Sequence, residues 1–227
     1  MRVVQLEGSK GSLKWVQRAI DARAPSLEAP ILQALSSARR IDWRSPLKAD
    51  GWAEYRDAAF LDILGVGSLN PKLAEFWPQR GPQWDALGVT DAGHILLVEA
   101  KAHIGEFCSP ASQASPQSLA KIRNAMTITA KALGATVEDA QRWCGRFYQY
   151  TNRLAHLVWL RQQGVDAILV LLGFCGDQEM PGATSPEAWA AAYQVADFAL
   201  GIPRKHAYSR HILHICPSVS ALERGVE

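Results

Sequence analysis

The sequence predicts an α/β fold in which a mixed central sheet is flanked by helices. Three observations lead there. WDALGVT and HILLVEAKAH are strand-length runs joined by the tight triplet Asp91-Ala92-Gly93. VDAILVLLGF, from Val165 to Phe174, is a continuous apolar run, the pattern of a central strand covered on both faces. Around these lie segments of helical periodicity with recognisable starts and stops, so helices and strands are interspersed along the chain.

The first 38 residues read as two helices, one capped by Ser12 and running to about Ala22, the other capped by Ser26 and carrying Ile31, Leu32 and Leu35. IDWRSPLKADG is a short extended piece and a turn. From Gly51, WAEYRDAAFLDILG reads as a helix stopped by Gly65, with Trp52, Tyr55, Ala59 and Ile63 on one face and Phe60 and Leu64 beside them. The hairpin follows, its Gly93 suited to the left-handed end of a three-residue loop. CSPASQASPQS, Cys108 to Ser118, is a loop by composition. Next come a helix from about Leu119 to Leu133 and another from Val137 or Gln141 to Gln163. The second has Trp143, Phe147, Tyr150, Leu154, Leu157 and Val158 on one apolar face and Gly164 as its stop. After the apolar strand, residues 176–184 form a surface loop, Ser185-Pro186-Glu187 starts a helix that Gly201 ends, and HILHIC makes a last strand. One domain, 1–227, is expected, with a helical extension at 1–48 and a closing helix and strand at 175–227.

Composition narrows the function classes. With 227 residues, 48% of them hydrophobic, the chain buries a full core. Its longest apolar stretch, Val165 to Cys175, is broken by Asp166 and far shorter than the roughly 20 residues of a membrane helix. The N-terminal MRVVQLEGSKGSLKW lacks an apolar core with a small-residue cleavage site, so a cytoplasmic protein without a membrane partner is expected. Cys108, Cys144, Cys175 and Cys216 are too far apart for CxxC chemistry and read as reduced thiols. His94, His103, His206, His211 and His214 show no zinc spacing, although His103 lies close enough to Lys101 to support it or merely to end the strand. A net charge of +2 does not by itself argue for nucleic acid.

Local charge says more. Glu99 and Lys101 end an apolar strand and share one face, while Val98 and Ala100 point to the other. With a three-residue loop, Thr90 pairs with His94 and Asp85 falls opposite Glu99, about 4.5–5.5 Å away at Cβ. A four-residue loop would turn Asp85 to the opposite face. Two carboxylates so close repel unless a cation lies between them, and oxygen-only ligands suit Mg²⁺ or Mn²⁺. A lysine beside the attacking water then favours hydrolysis of a phosphodiester.

This arrangement resembles the PD-(D/E)XK nuclease superfamily, whose restriction-endonuclease-like core runs helix, three strands, helix, strand; here the core maps onto about 51–174. Asp85 matches the first acid and Glu99-Ala100-Lys101 the triplet, although Trp84 stands where the family name has Pro. The resemblance implies Asp85, Glu99 and the Ala100 carbonyl as metal ligands and Lys101 beside the water. It also implies an accessory acid on the first core helix, Glu54 with Asp57 as competitor. Gln149 and Tyr148 stand where some members carry a further Gln or Tyr, without the QxxxY spacing. An acid-x-Lys triplet alone arises by chance about once in such a chain, so the context carries the reading.

Arg142, Arg146, Gln149, Arg153 and His156 make a basic helical stripe, either a phosphate grip, with Arg146 and Arg153 the substrate-binding candidates, or a solvated face. Arg39, Arg40, Arg44 and Lys48 invite the same two readings. Lys10 and Lys14 in GSKGSLKW lack P-loop order. The sequence therefore predicts a metal-dependent nuclease acting on nucleic acid, DNA first, with a homodimer as a candidate assembly. Its alternative is a catalytically silent nuclease-like fold that binds nucleic acid or protein.

Overall fold

The strand that carries Glu99 and Lys101 has no solvated face. All seven of its residues, Ile95–Lys101, are buried, as are all seven of Ala167–Gly173 beside it. Burial on both faces explains their unbroken apolar sequence. The computed structural model describes residues 1–224 apart from Pro181 and Thr184, so those two positions of the 176–184 loop lie outside the described residues. In chain order the elements are β1 (Arg2–Val3), α1 (Gly11–Asp21), α2 (Pro25–Ala34), β2 (Ile41–Ser45), β3 (Glu54–Tyr55), α3 (Ala58–Ile63), α4 (Asn70–Phe76), β4 (Ala86–Thr90) and β5 (Ile95–Lys101). There follow α5 (Ile104–Phe107), α6 (Pro116–Leu133), α7 (Val137–Arg142), α8 (Tyr148–Gln162), β6 (Ala167–Gly173), α9 (Pro186–Leu200), β7 (Ile212–Ile215) and α10 (Val219–Arg224).

The fold is α/β, with a five-stranded mixed sheet in the order β2-β4-β5-β6-β7. β2, β4 and β5 are antiparallel neighbours, and β6 and β7 continue parallel to β5. Helices cover both faces. Trp15, Ile20, Leu27 and Ile31 of α1 and α2 pack with Leu96, Val98, Ile168 and Val170. The opposite face sets Leu97, Leu169 and Leu171 with Met126 of α6, Leu154 of α8 and Trp189 of α9. Within the described residues no helix is long and apolar enough to cross a membrane. All four cysteines are free thiols, Cys144 and Cys175 buried and the others half-buried.

Several elements differ from the sequence reading. Ser12 does not cap α1; its hydroxyl donates to Glu106 Oε1 at 2.5 Å, and Lys10 occupies the cap position without a side-chain bond. Ser26 lies inside α2, which starts at Pro25. The extended piece at 41–45 is an edge strand of the central sheet, its Trp43 tied to α2 through Glu28 at 2.9 Å. The helix expected from Gly51 begins only at Ala58. Trp52 and Asp57 adopt positive φ (54° each), and Glu54–Tyr55 is extended between β1 and Trp84. Ladder partners on both sides override the helical periodicity of that stretch.

The long helix expected to Gln163 is broken into α7 and α8, with Phe147 at φ 67°. The Ser/Pro loop takes up backbone groups freed by the break: Ser112 donates to Cys144 O at 2.9 Å and Phe147 to Ser109 O at 3.2 Å. The basic stripe does not survive this break. Arg142 pairs with Asp139 on α7, Arg146 sits in the exposed turn, and Arg153 and His156 are buried. Arg44 pairs with Asp42, and Lys14 is buried against Glu179 at 2.7 Å.

Candidate functional site

The hairpin has the three-residue loop the sequence predicts. Thr90 N–H donates to His94 O at 2.9 Å, Gly93 takes φ 86°, and the ladder runs from Val89 opposite Ile95 to Ala86 opposite Val98. Continued by one step, this register brings Asp85 to Glu99. There β4 has ended, and the Asp85 carboxylate takes over the ladder's role, its Oδ2 accepting the Ala100 N–H at 2.7 Å. Glu99 and Lys101 belong to the odd-numbered face of β5, which looks toward α8.

Glu54 reaches the same place from another direction. β3 lies between β1 and the extended Trp84, whose N–H donates to Tyr55 O at 3.1 Å. An extended strand, rather than the predicted helix, thus aims Glu54 at the hairpin. Its Oε2 accepts from Gln5 at 3.0 Å and from Gln83 at 2.5 Å. Asp57 is placed elsewhere: its Oδ1 accepts the Gly81 N–H at 2.8 Å, and it does not line the cleft.

The two cations of the site both bind Glu99. Lys101 Nζ lies 2.6 Å from Oε1 and Arg153 Nε 2.5 Å from Oε2. Arg153 also donates to Asn152 Oδ1 and to Gln83 O, each at 2.8 Å, and its guanidinium lies 4.9 Å from the centre of the Trp84 ring. It therefore holds Glu99 in place and is not free to grip a substrate. Burial alone would raise the Glu99 carboxyl, but Arg153 and Lys101 outweigh it and hold the group below the usual carboxylate range. Asp85 is pushed well above that range by burial and by the Glu99 charge, only partly offset by Lys101. Burial also raises Glu54. For Lys101, burial opposes the charge, yet Glu99 and Asp85 win and keep the ammonium protonated.

These groups share one cleft of about 430 Å³. Glu54, Asp85, Glu99, Lys101, Tyr148, Gln149 and Arg153 all line it; Arg146 is not among its lining residues. No family model, curated protein or solved structure matches the chain. The chemistry of the cleft must be read from its own atoms.

Their donor chemistry fits a hard divalent cation: the carboxylates of Asp85 and Glu99, and the Ala100 carbonyl, which in a strand faces the same side as the N–H that meets Asp85. The geometry is not a finished cage. Among the described residues no three His, Cys, Asp or Glu side chains are grouped to hold a metal ion, and both Glu99 oxygens already meet cations. A bound cation would have to take an oxygen from one of them.

Sequence reasoning missed Gln83 and Asn152. Gln83 joins Glu54 to Arg153, and its two-residue spacing from Asp85 in an extended run was the available signal. Asn152 gave none, since its partner is the residue beside it. His103 ends the strand in the ordinary way, its Nδ1 accepting the Glu106 N–H at 3.2 Å to cap α5. His94 bridges Asp166 and Ser37.

Proposed function

We propose that the cleft hydrolyses phosphodiester bonds of nucleic acid, DNA first, with the help of a divalent cation. One observation carries this reading: Glu54, Asp85, Glu99 and Lys101, drawn from three separate segments, line a single cleft. The order of elements supports it. α2 and β2, which lie before the 51–174 expected for the core, take the place of the helix expected from Gly51. The order is then a helix, the three antiparallel strands β2, β4 and β5, helices and the parallel β6, with β3, α3 and α4 inserted between β2 and β4. Apart from that insertion it is the sequence of parts in the PD-(D/E)XK nucleases that the hairpin resembles.

Lys101, kept charged by its acidic neighbours, offsets charge that builds on a phosphate in the transition state. Arg153 fixes Glu99 from the far side, so Lys101 and Glu99 face the substrate as one rigid pair. Glu54, raised by burial, is suited to receive a proton from an attacking water. Mg²⁺ or Mn²⁺ held by Asp85, Glu99 and the Ala100 carbonyl would supply Lewis acidity toward water and phosphate. Arg80, exposed at the rim, is available to the substrate backbone.

A second reading has its own observation. With both Glu99 oxygens on buried cations, the fold also suits a silent module that binds nucleic acid or protein without cutting. Purified protein incubated with single- and double-stranded DNA and RNA, with and without Mg²⁺ or Mn²⁺, separates the two. Hydrolysis predicts metal-dependent cleavage, lowered about 100-fold or more in Lys101→Ala. Binding without cleavage on every substrate would select the silent module, and equal cleavage by Lys101→Ala would place the chemistry elsewhere.

A further inference from the structure

Beside the cleft lies a smaller cavity of about 160 Å³, walled by Phe60, Leu73 and Trp77 and reaching His156. It is close in size to an engineered protein cavity of ~150 Å³ that accepts benzene, so it has room for one six-membered ring rather than two. His156 is 1% exposed, and its ring meets Trp77 edge-on at 4.7 Å between centres.

The polarity of the cavity is one-sided. His156 Nδ1 lies 2.8 Å from Asn152 O, which can only accept, so Nδ1 carries the proton. Burial lowers the His156 pKa to about 3, and the ring stays neutral. Nε2 is then a bare acceptor, and His156 lines the cavity. Asn70, on the same wall, has a buried Oδ1 that lacks a donor. Such an unpartnered buried acceptor is costly until a donor meets it. The cavity thus suits a flat single ring bearing an N–H donor, and among the described residues no cationic side chain lines it to attract an anion.

Trp77 and Gly81 line both this cavity and the cleft, so a strand lying in the cleft passes its mouth. We propose that the cavity receives one unpaired cytosine of that strand, its ring against Trp77 and its exocyclic amine donated to His156 Nε2. Stacking on an aromatic wall serves any base, whereas two acceptors favour cytosine, whose exocyclic amine offers two hydrogens, over thymine, which offers a single N3–H flanked by carbonyls. This rests on the nucleic-acid reading of the cleft and adds a preference to it.

The test needs no cleavage. Free cytidine and thymidine are titrated into the full chain and followed by saturation-transfer NMR. Cytidine is expected to bind about tenfold more tightly than thymidine. Ala74→Phe, which plugs the cavity from an exposed position on α4, should abolish the signal. His156→Phe should weaken binding by about three- to tenfold. Should His156→Phe fail to fold, Ala74→Phe decides alone. No transfer to cytidine, or transfer undiminished by Ala74→Phe, overturns the proposal. Cytidine binding without cleavage of any nucleic acid would keep the cavity and sink hydrolysis; cleavage without cytidine binding would do the reverse.

Discussion

At the residue scale, Glu99 is the pivot of the site because two cations share it. Replacing Arg153 by Met leaves a buried carboxylate with Lys101 alone and strips the donors from Asn152 Oδ1 and Gln83 O. Breaking such a buried pair is expected to cost about 3–5 kcal/mol near neutral pH, measured by urea denaturation. The pH dependence has a definite sign. A carboxylate whose folded pKa is depressed contributes stability above its unfolded value, and that contribution is lost as pH falls through the folded value. Arg153 is the leading charge behind the Glu99 depression, so the gap between wild type and Arg153→Met should shrink below about pH 4.5. A gap unchanged between about pH 7 and pH 4 would mean that Arg153 acts through packing on Trp84 instead. Glu99, Lys101 and Asp85 were legible because strand alternation and register fix directions from sequence alone. Arg153 was seen, but as a substrate grip; its partner Glu99 lies 54 positions away, and no local pattern reports such a pairing.

At the element scale, what could be read were pieces whose signals are local: the Gly93 turn, the apolar β6, the Ser185 cap and the Gly201 stop of α9. What could not be read were pieces decided by distant partners. Glu54–Tyr55 has helical periodicity yet pairs with β1 and Trp84, and the break before α8 depends on the Ser109–Ser112 loop accepting and donating in place of helix bonds. Strand β6 ends on a similar constraint. Gly173, opposite Lys101 in the register, lies under the Trp189 indole, and a Cβ there would come within 2.7 Å of the ring. Trp189 cannot easily retreat, being 1% exposed and bonded through Nε1 to Phe174 O at 3.1 Å. Gly173→Ala should therefore destabilise by about 1–3 kcal/mol through overpacking. A urea midpoint unchanged by the substitution would show that α9 shifts freely over the sheet.

At the scale of the whole molecule, the N-terminal helices are part of the structure that holds the site. α1 and α2 cover Leu96, Val98, Ile168, Val170 and Leu172, an apolar face that, among the described residues, only the short α10 shares with them. Three polar ties fasten α1 to the end of the sheet where the cleft opens: Trp15 Nε1 to Asp177 at 2.7 Å, Lys14 to Glu179, and Ser12 to Glu106. Glu106 also accepts the Ala102 N–H at 2.9 Å, immediately after Lys101, and its charge helps to keep Lys101 protonated. Removing residues 1–34 would expose that face and cut those ties together. The truncated chain is expected to lose its cooperative urea transition and to bind an apolar dye such as ANS. Should it instead unfold cooperatively at an unchanged midpoint, the sheet would be self-supporting. The site would then depend on the N-terminal segment through the β1 ladder on Glu54–Tyr55, Gln5 on Glu54 and Ser12 on Glu106, contacts too few to hold the fold but enough to be felt in the cleft.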